Sequence, residues 1–316
     1  MKKLLFLTII TLGGILTSQA QFKIEPVNGD PVTINGNVTF SPNADGTSYS
    51  VGSSYNTDLD LSKIKSISLA PKTTGPAVGD FFYSDGTYSS TLDASKTAIG
   101  VVFYIGDPTE QDAALKAAHP GCTHGLVVGL TQKQCEWQDN YGDFDMEVDM
   151  TVGEWIAANT DYESIATRSE AMSSPFNKIL GYNNTMGIDA FNDGEYGWDY
   201  EVLVGSNVSS TMSSHKAPTS TSGWYIPSIK EVSLICSGVT DGSIGDLGYE
   251  STPDNANVTL LNTKIAQIDK ATPLDGVYWS STEYNVSQVH TVQFRNGLVM
   301  QTSKGGANLL RPILAF

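Results

Sequence analysis

Between Val289 and Val299 the chain alternates its side-chain character and turns over at Asn296-Gly297. That dipeptide tolerates positive φ and so favours a hairpin between two antiparallel strands. The hairpin stands inside a C-terminal run that carries most of the recognisable text of the sequence. In order the run reads Gly223-Trp-Tyr-Ile-Pro-Ser228, Tyr278-Trp-Ser-Ser-Thr-Glu-Tyr284, Phe294-Arg-Asn-Gly297 and Arg311-Pro-Ile-Leu-Ala-Phe316.

The other end sets the compartment. Lys2 and Lys3 precede an uncharged, largely apolar run from Leu4 to Leu16, followed by Ser18-Gln19-Ala20. Small residues stand at the two positions that a signal peptidase inspects, so residues 1–20 read as a signal peptide cut after Ala20. Thirteen apolar residues fall short of the ~20 that a membrane span needs. No cysteine follows the run to accept a lipid, and no later stretch is apolar enough for a span. The expected product is soluble and exported, to the periplasm, the cell surface or the medium. Loss of Lys2 and Lys3 leaves 16 basic residues against 34 acidic ones, a net charge of −18. Such a surface repels phosphate backbones and anionic lipid, which excludes nucleic acid as a partner.

Two parts follow. From Phe22 to about Thr74 the text is strand and turn: Val32, Ile34, Val38 and Phe40 keep a period of two, Asp45-Gly46 marks a turn, and Leu59, Leu61, Ile67 and Leu69 add another apolar series. Residues 21–76 read as a small all-β module; at this size it buries only ~60% of its unfolded surface and leans on a neighbour. Pro71-Lys-Thr-Thr-Gly-Pro76 is the boundary, being turn-forming without apolar periodicity. Residues 77–316 form the second domain. Strands are expected at Asp80–Tyr88, breaking at Asp85-Gly86, at Ala98–Ile105 as a buried central strand, and at His124–Leu130. Helices are expected at Tyr162–Leu180, at Ile229–Cys236 after a Pro-Ser opening, and at Val258–Ile268. Two or three helices beside antiparallel strands make an α+β domain.

Candidate chemistry is sparse. Cys122 and Cys135 are near enough in sequence to pair, which is the favoured reading, though the residues alone leave the bond open. His119, Cys122, His124 and Cys135 share a short span but match no zinc spacing, and Cys236 sits on an apolar helical stretch as an inert buried thiol. No cofactor is expected. Calcium is the one alternative kept open, on Asp139, Asn140, Asp143, Asp145, Glu147 and Asp149, whose spacing is wrong for an EF-hand loop. There is no Gly-x-Ser-x-Gly elbow, no phosphate-cradling glycine loop and no His-Glu-x-x-His, so no enzyme activity is expected.

Gly79-Asp80 with Tyr83-Ser-Asp-Gly-Thr87, Gly100-Val-Val-Phe103, His124-Gly-Leu-Val-Val128, Trp137, Asn184-Thr185 and the C-terminal blocks follow one another in a characteristic order. The set resembles the bacterial exported domains of C-type lectin fold, the major paralogous domain type. These are distant relatives of the formylglycine-generating enzyme and of the variable proteins of diversity-generating systems. The match covers about three quarters of the chain; the insertion from Gly187 to Thr221 departs from it. The resemblance implies a C-type lectin-like α+β fold whose C-terminal hairpin displays a ligand-binding surface at His290, Thr291, Gln293, Arg295, Leu298, Met300, Gln301, Thr302 and Ser303. It also implies a Glu283–Arg311 frame ion pair and core positions for Trp224 and Trp279. The formylglycine-generating relatives work through a pair of C-terminal cysteines, and no cysteine follows Cys236 here. The reading placed first is therefore a secreted, non-catalytic, adhesin-like protein binding a protein or glycan at the cell surface. The alternative is a structural or tip subunit of a surface filament, pairing through its β module by strand addition.

Overall fold

The computed structural model describes the strands between residues 22 and 69 together with residues 75–139, 150–165, 177–194, 196–197, 199–202, 204, 215–238 and 255–316. The chain divides into two compact units, Met1–Gly75 and Pro76–Phe316. In the first, β1 (Phe22–Pro26) pairs antiparallel with both β2 (Val32–Ile34) and β6 (Ile64–Leu69). A second antiparallel sheet has the order β3 (Thr39–Pro42), β4 (Ser48–Gly52), β5 (Thr57–Asp60). The signal-peptide segment, the Asp45-Gly46 turn and residues 140–149, which hold all but one of the calcium candidates, lie outside the described residues.

The second unit is built on two five-stranded sheets. One has the order β16 (Ile313–Ala315), β10 (Gly125–Gly129), β9 (Ala98–Ile105), β7 (Phe81–Tyr83), β8 (Tyr88–Ser89), all antiparallel. Its continuous apolar text has a simple cause: both faces are covered. Val101, Phe103, Leu126, Val128 and Ile313 point into one apolar cluster, while Ile99, Val102, Val127 and Leu314 point into another. The other sheet runs β11 (Lys133–Cys135), β15 (Asn308–Leu310), β12 (Val277–Glu283), β13 (Gln288–Gln293), β14 (Leu298–Ser303). It is antiparallel except between β12 and β15. The last nine residues thus serve both sheets, leaving β15 at Leu310 and entering β16 at Ile313, with Arg311-Pro312 at the crossing.

Five α-helices lie among the described residues of this unit: α1 (Ala113–Ala118), α2 (Val152–Asn159), α3 (Gly181–Asn192), α4 (Ile229–Ser237) and α5 (Ala256–Ile265). The α+β class is as expected, with more helix than the two or three anticipated. α4 and α5 stand where the spacing puts them. The helix expected over Tyr162–Leu180 does not: at both described ends of that stretch the backbone is non-helical, and helices flank it as α2 and α3. α2 opens on a capping box, Thr151 accepting from the Glu154 N–H while the Glu154 carboxylate accepts from the Thr151 N–H. α3 has no side-chain cap and little apolar periodicity in Gly-Tyr-Asn-Asn-Thr-Met-Gly. It holds because its buried amides bond across the core: Asn184 donates to Ser281 Oγ at 3.0 Å, and Asn183 Oδ1 accepts the Glu163 N–H at 3.0 Å.

Candidate functional site

The C-terminal hairpin forms in unbroken register, from Gln288 opposite Ser303 to Gln293 opposite Leu298. The loop between the strands is four residues, Phe294–Gly297, longer than a tight turn, because Phe294 is drawn into the core and stacks on Tyr278 at 4.2 Å. Gly297 takes φ +73°, the left-handed region that favours glycine, and its N–H donates to Gln293 O at 2.8 Å.

Placement in the sheet sorts the proposed display positions. β13 lies between β12 and β14, so its side chains are covered on both faces. His290 is 2% exposed and meets the Tyr284 ring edge-on at 5.3 Å; Thr291 is fully buried beside Trp279, its hydroxyl 2.9 Å from that of Thr302. These two positions are corrected: they belong to the interior and present nothing outward. Arg295, Gln301 and Ser303 are exposed, and Gln293, Leu298, Met300 and Thr302 are half-buried.

Behind the hairpin the Tyr-Trp-Ser-Ser-Thr-Glu text is used up as frame. The Ser280 hydroxyl donates to His290 O at 2.7 Å and the Ser281 hydroxyl to Pro227 O at 3.2 Å, while Thr282 Oγ1 accepts the Ile229 N–H at 3.0 Å. Trp279 Nε1 donates to Cys135 O at 2.8 Å, and Trp137 Nε1 to Ser280 O at 3.0 Å. Trp224 and Trp279 are core residues, as expected. The three hydroxyls are buried and committed to internal partners.

The frame ion pair differs from the expected one. Glu283 pairs with Lys304, Nζ to Oε1 at 2.5 Å, with both side chains buried. Its carboxylate also accepts the N–H of Val152 at 3.2 Å and of Gly153 at 2.8 Å, filling two donors left open by the first turn of α2. Lys304 donates to Gln138 Oε1 at 2.7 Å and lies 5.0 Å from the centre of the Trp137 ring. Arg311 instead ties the sheet crossing together: Nε donates to Gly129 O at 2.6 Å, one terminal nitrogen to Thr272 O at 2.8 Å and the other to Gln132 Oε1 at 3.1 Å. Burial lowers its pKa to about 10, which leaves the guanidinium charged at neutral pH. Arg311→Met should leave two backbone carbonyls and the Gln132 amide oxygen short of a donor, costing about 2–3 kcal/mol in a urea-unfolding measurement. Of these residues Lys304, in a plain Thr-Ser-Lys-Gly-Gly stretch, carries no signal in the sequence. The Thr151-Val-Gly-Glu154 box that starts α2 is legible as a capping motif and was missed.

Other reactive groups are buried or blocked. All three cysteines are free, so the expected Cys122–Cys135 bond is absent. Cys122 packs with Val101 and Tyr225 in one apolar cluster, and Cys135 borders the other, beside Trp279. Burial pushes both thiols up to about 11, so neither is a ready nucleophile. Cys236 is buried in α4 as expected. Among the described residues no three of His, Cys, Asp and Glu converge as a metal-holding group.

A second buried acid lies under α4. Ser228 and Glu231 form its capping box, with the Ser228 N–H donating to Glu231 Oε2 at 2.6 Å, and Tyr225 donates its hydroxyl to Oε1 at 3.1 Å. The carboxyl lies so close to Gly181 that a Cβ there would sit 2.2 Å from Oε2. Burial, with Asp112 nearby adding repulsion, pushes Glu231 up to about 8 against the pull of those hydrogen bonds. Asp112 caps α1 through the Leu115 N–H and also accepts the Asn183 N–H, both at 2.9 Å.

The described part of residues 76–316 is thus an α+β, two-sheet unit whose outward chemistry sits on a sheet edge and its loop. No family model matches the chain. It is 28% identical over 241 residues to the putative fimbrium tip subunit Fim1C of Bacteroides ovatus, a match that covers 69% of this chain and 40% of that one. Its fold is also that of a fimbrial protein from Bacteroides ovatus ATCC 8483, known from a crystal structure, with a TM-score of 0.58 and 19% identity. That likeness covers 96% of this chain and 65% of the other. The chain therefore spans 40% of the length of the sequence relative and less than two thirds of the solved one.

Proposed function

We infer that the chain is a structural or tip subunit of a bacterial surface filament, exported by its N-terminal signal peptide and without catalytic activity. The observation that carries this is the 241-residue match to a putative fimbrium tip subunit. It reverses the order read from the sequence alone: the filament subunit comes first, and the free-standing adhesin second. The fold match to a fimbrial protein supports the same reading, as do buried serine hydroxyls and thiols that leave the known nucleophiles occupied or protonated. The finer reading of residues 77–316 as a C-type-lectin-like domain rests on the order of the motif blocks. In that reading the outward hairpin positions are Gln293, Arg295, Leu298, Met300, Gln301, Thr302 and Ser303. The N-terminal module, with open-ended three-stranded sheets, is the part suited to pairing with a neighbour by strand addition.

Immunogold microscopy tests the filament reading. Antibody raised against residues 76–316 should label filaments of the encoding bacterium, concentrated at their ends. Label spread evenly over a filament-free surface would reject the assignment and restore the free-standing adhesin.

A further inference from the structure

We propose that the outer edge of β14 accepts an extended strand of a partner protein, one with apolar residues at alternate positions and a carboxylate-bearing end that meets Arg295. The proposal deepens the filament reading by naming the partner's chemistry, and it rests on that reading only for the partner being a protein.

Position comes first. β14 ends its sheet, and among the described residues no strand pairs with its outer side. A sheet edge offers a row of backbone donors and acceptors, which folded proteins ordinarily blunt with charge, proline or a bulge. Leu-Val-Met-Gln-Thr-Ser contains no charge and no proline, and its six residues pair with β13 without a break in register. Gln301 and Ser303 stand exposed along it.

The face of the strand sets the partner's pattern. Register puts Leu298 beside Gln293 and Val277, and Met300 beside Thr291 and Trp279. Val277, Gln293, Leu298 and Met300 are half-buried, so they form a partly covered and largely apolar strip. An added strand would lay every second side chain along that strip. The other face, at Gln301 and Ser303, is polar and open.

Charge then chooses among strands. The chain holds 34 acidic residues, yet none between Tyr284 and Phe316. The bases there are Arg295, Lys304 and Arg311; the last two are buried, so Arg295 in the hairpin loop faces the solvent. In a protein of net charge −16, this acid-free edge is where an acidic segment meets least repulsion and gains an attractive contact. The same complementarity disfavours a lysine-rich strand.

The test uses two eight-residue peptides of alternating valine and threonine, one ended by two aspartates and one by two lysines. Each is titrated into the chain from residue 21 onward, at low salt, with fluorescence anisotropy and amide hydrogen exchange as readouts. The aspartate-ended peptide should bind about tenfold more tightly and protect amides within 298–303. Arg295→Glu should invert the preference, and Gln301→Lys, also at an exposed position, should weaken both peptides by crowding the edge with a charge. Near-ultraviolet circular dichroism checks that each variant folds. Equal binding of the two peptides, protection that falls elsewhere, or a concentration-dependent dimer covering 298–303 would overturn the proposal, the last by making the occupant a second copy. Peptide capture without label at filament ends would sink the filament reading alone; end label without capture would sink this one alone.

Discussion

Lys304→Ala should be the most damaging single substitution in the C-terminal unit, lowering its unfolding free energy by about 3–5 kcal/mol. Lys304 is 1% exposed and its ammonium faces the Glu283 carboxylate at 2.5 Å. Removing it strands a negative charge in the interior, with only the Val152 and Gly153 N–H groups still bonded to it. The loss travels, because Lys304 also takes the Gln138 amide oxygen, and its own carbonyl accepts the Trp137 N–H at 2.7 Å. Urea denaturation of the single and double variants checks this. Lys304→Met together with Glu283→Gln removes both charges at once and should recover at least half of the loss. A double variant no more stable than Lys304→Ala would mean that packing, and not the stranded carboxylate, sets the cost.

The second expectation concerns pH. Glu231 is held at about 8 in the folded chain, well above the 4.5 of a free glutamate, chiefly by burial. The folded state therefore holds this proton more tightly than the unfolded one. Its contribution to stability is complete below about pH 4.5 and is lost as pH rises through about 8. Between those values the loss runs at about 1.4 kcal/mol per pH unit, several kcal/mol in all. Thermal melts from pH 5 to pH 9 should show the melting temperature falling throughout. Glu231→Gln keeps an acceptor for the Ser228 N–H while removing the proton, and should flatten that slope. An unchanged slope in the variant would assign the pH dependence to other groups, Asp112 first among them, since burial raises it too.

Both predictions concern residues that stiffen the support of the hairpin rather than touch a partner. Glu283 holds the start of α2, and Lys304 follows directly on β14. A chain that loosens there should lose the regular edge on which strand addition depends, before it loses its secondary structure.

Much of the architecture was legible in linear text. Ala98–Ile105 reads as a central strand because a sheet covered on both faces needs no polar alternation. Ile229–Ser237 reads as a helix from its Pro-Ser opening and apolar spacing, and Asn296-Gly297 announces the hairpin. What failed to read has a common cause. α3 is built of residues poor in helix propensity and owes its form to hydrogen bonds made with Ser281 and Glu163, far away in sequence. The helix expected over Tyr162–Leu180 rested on patchy spacing that no cap supported.

The periodicity of the sequence alone determined strand, turn and hairpin here, because those depend on neighbours within a few residues. The tertiary structure alone decided which charge meets Glu283, that Cys122 and Cys135 stay apart, and that His290 and Thr291 face inward. Those outcomes hang on β13 lying between β12 and β14, and on the chain crossing from one sheet to the other at Arg311. Local text does not encode which strand becomes the edge; the burial of one strand between two others does.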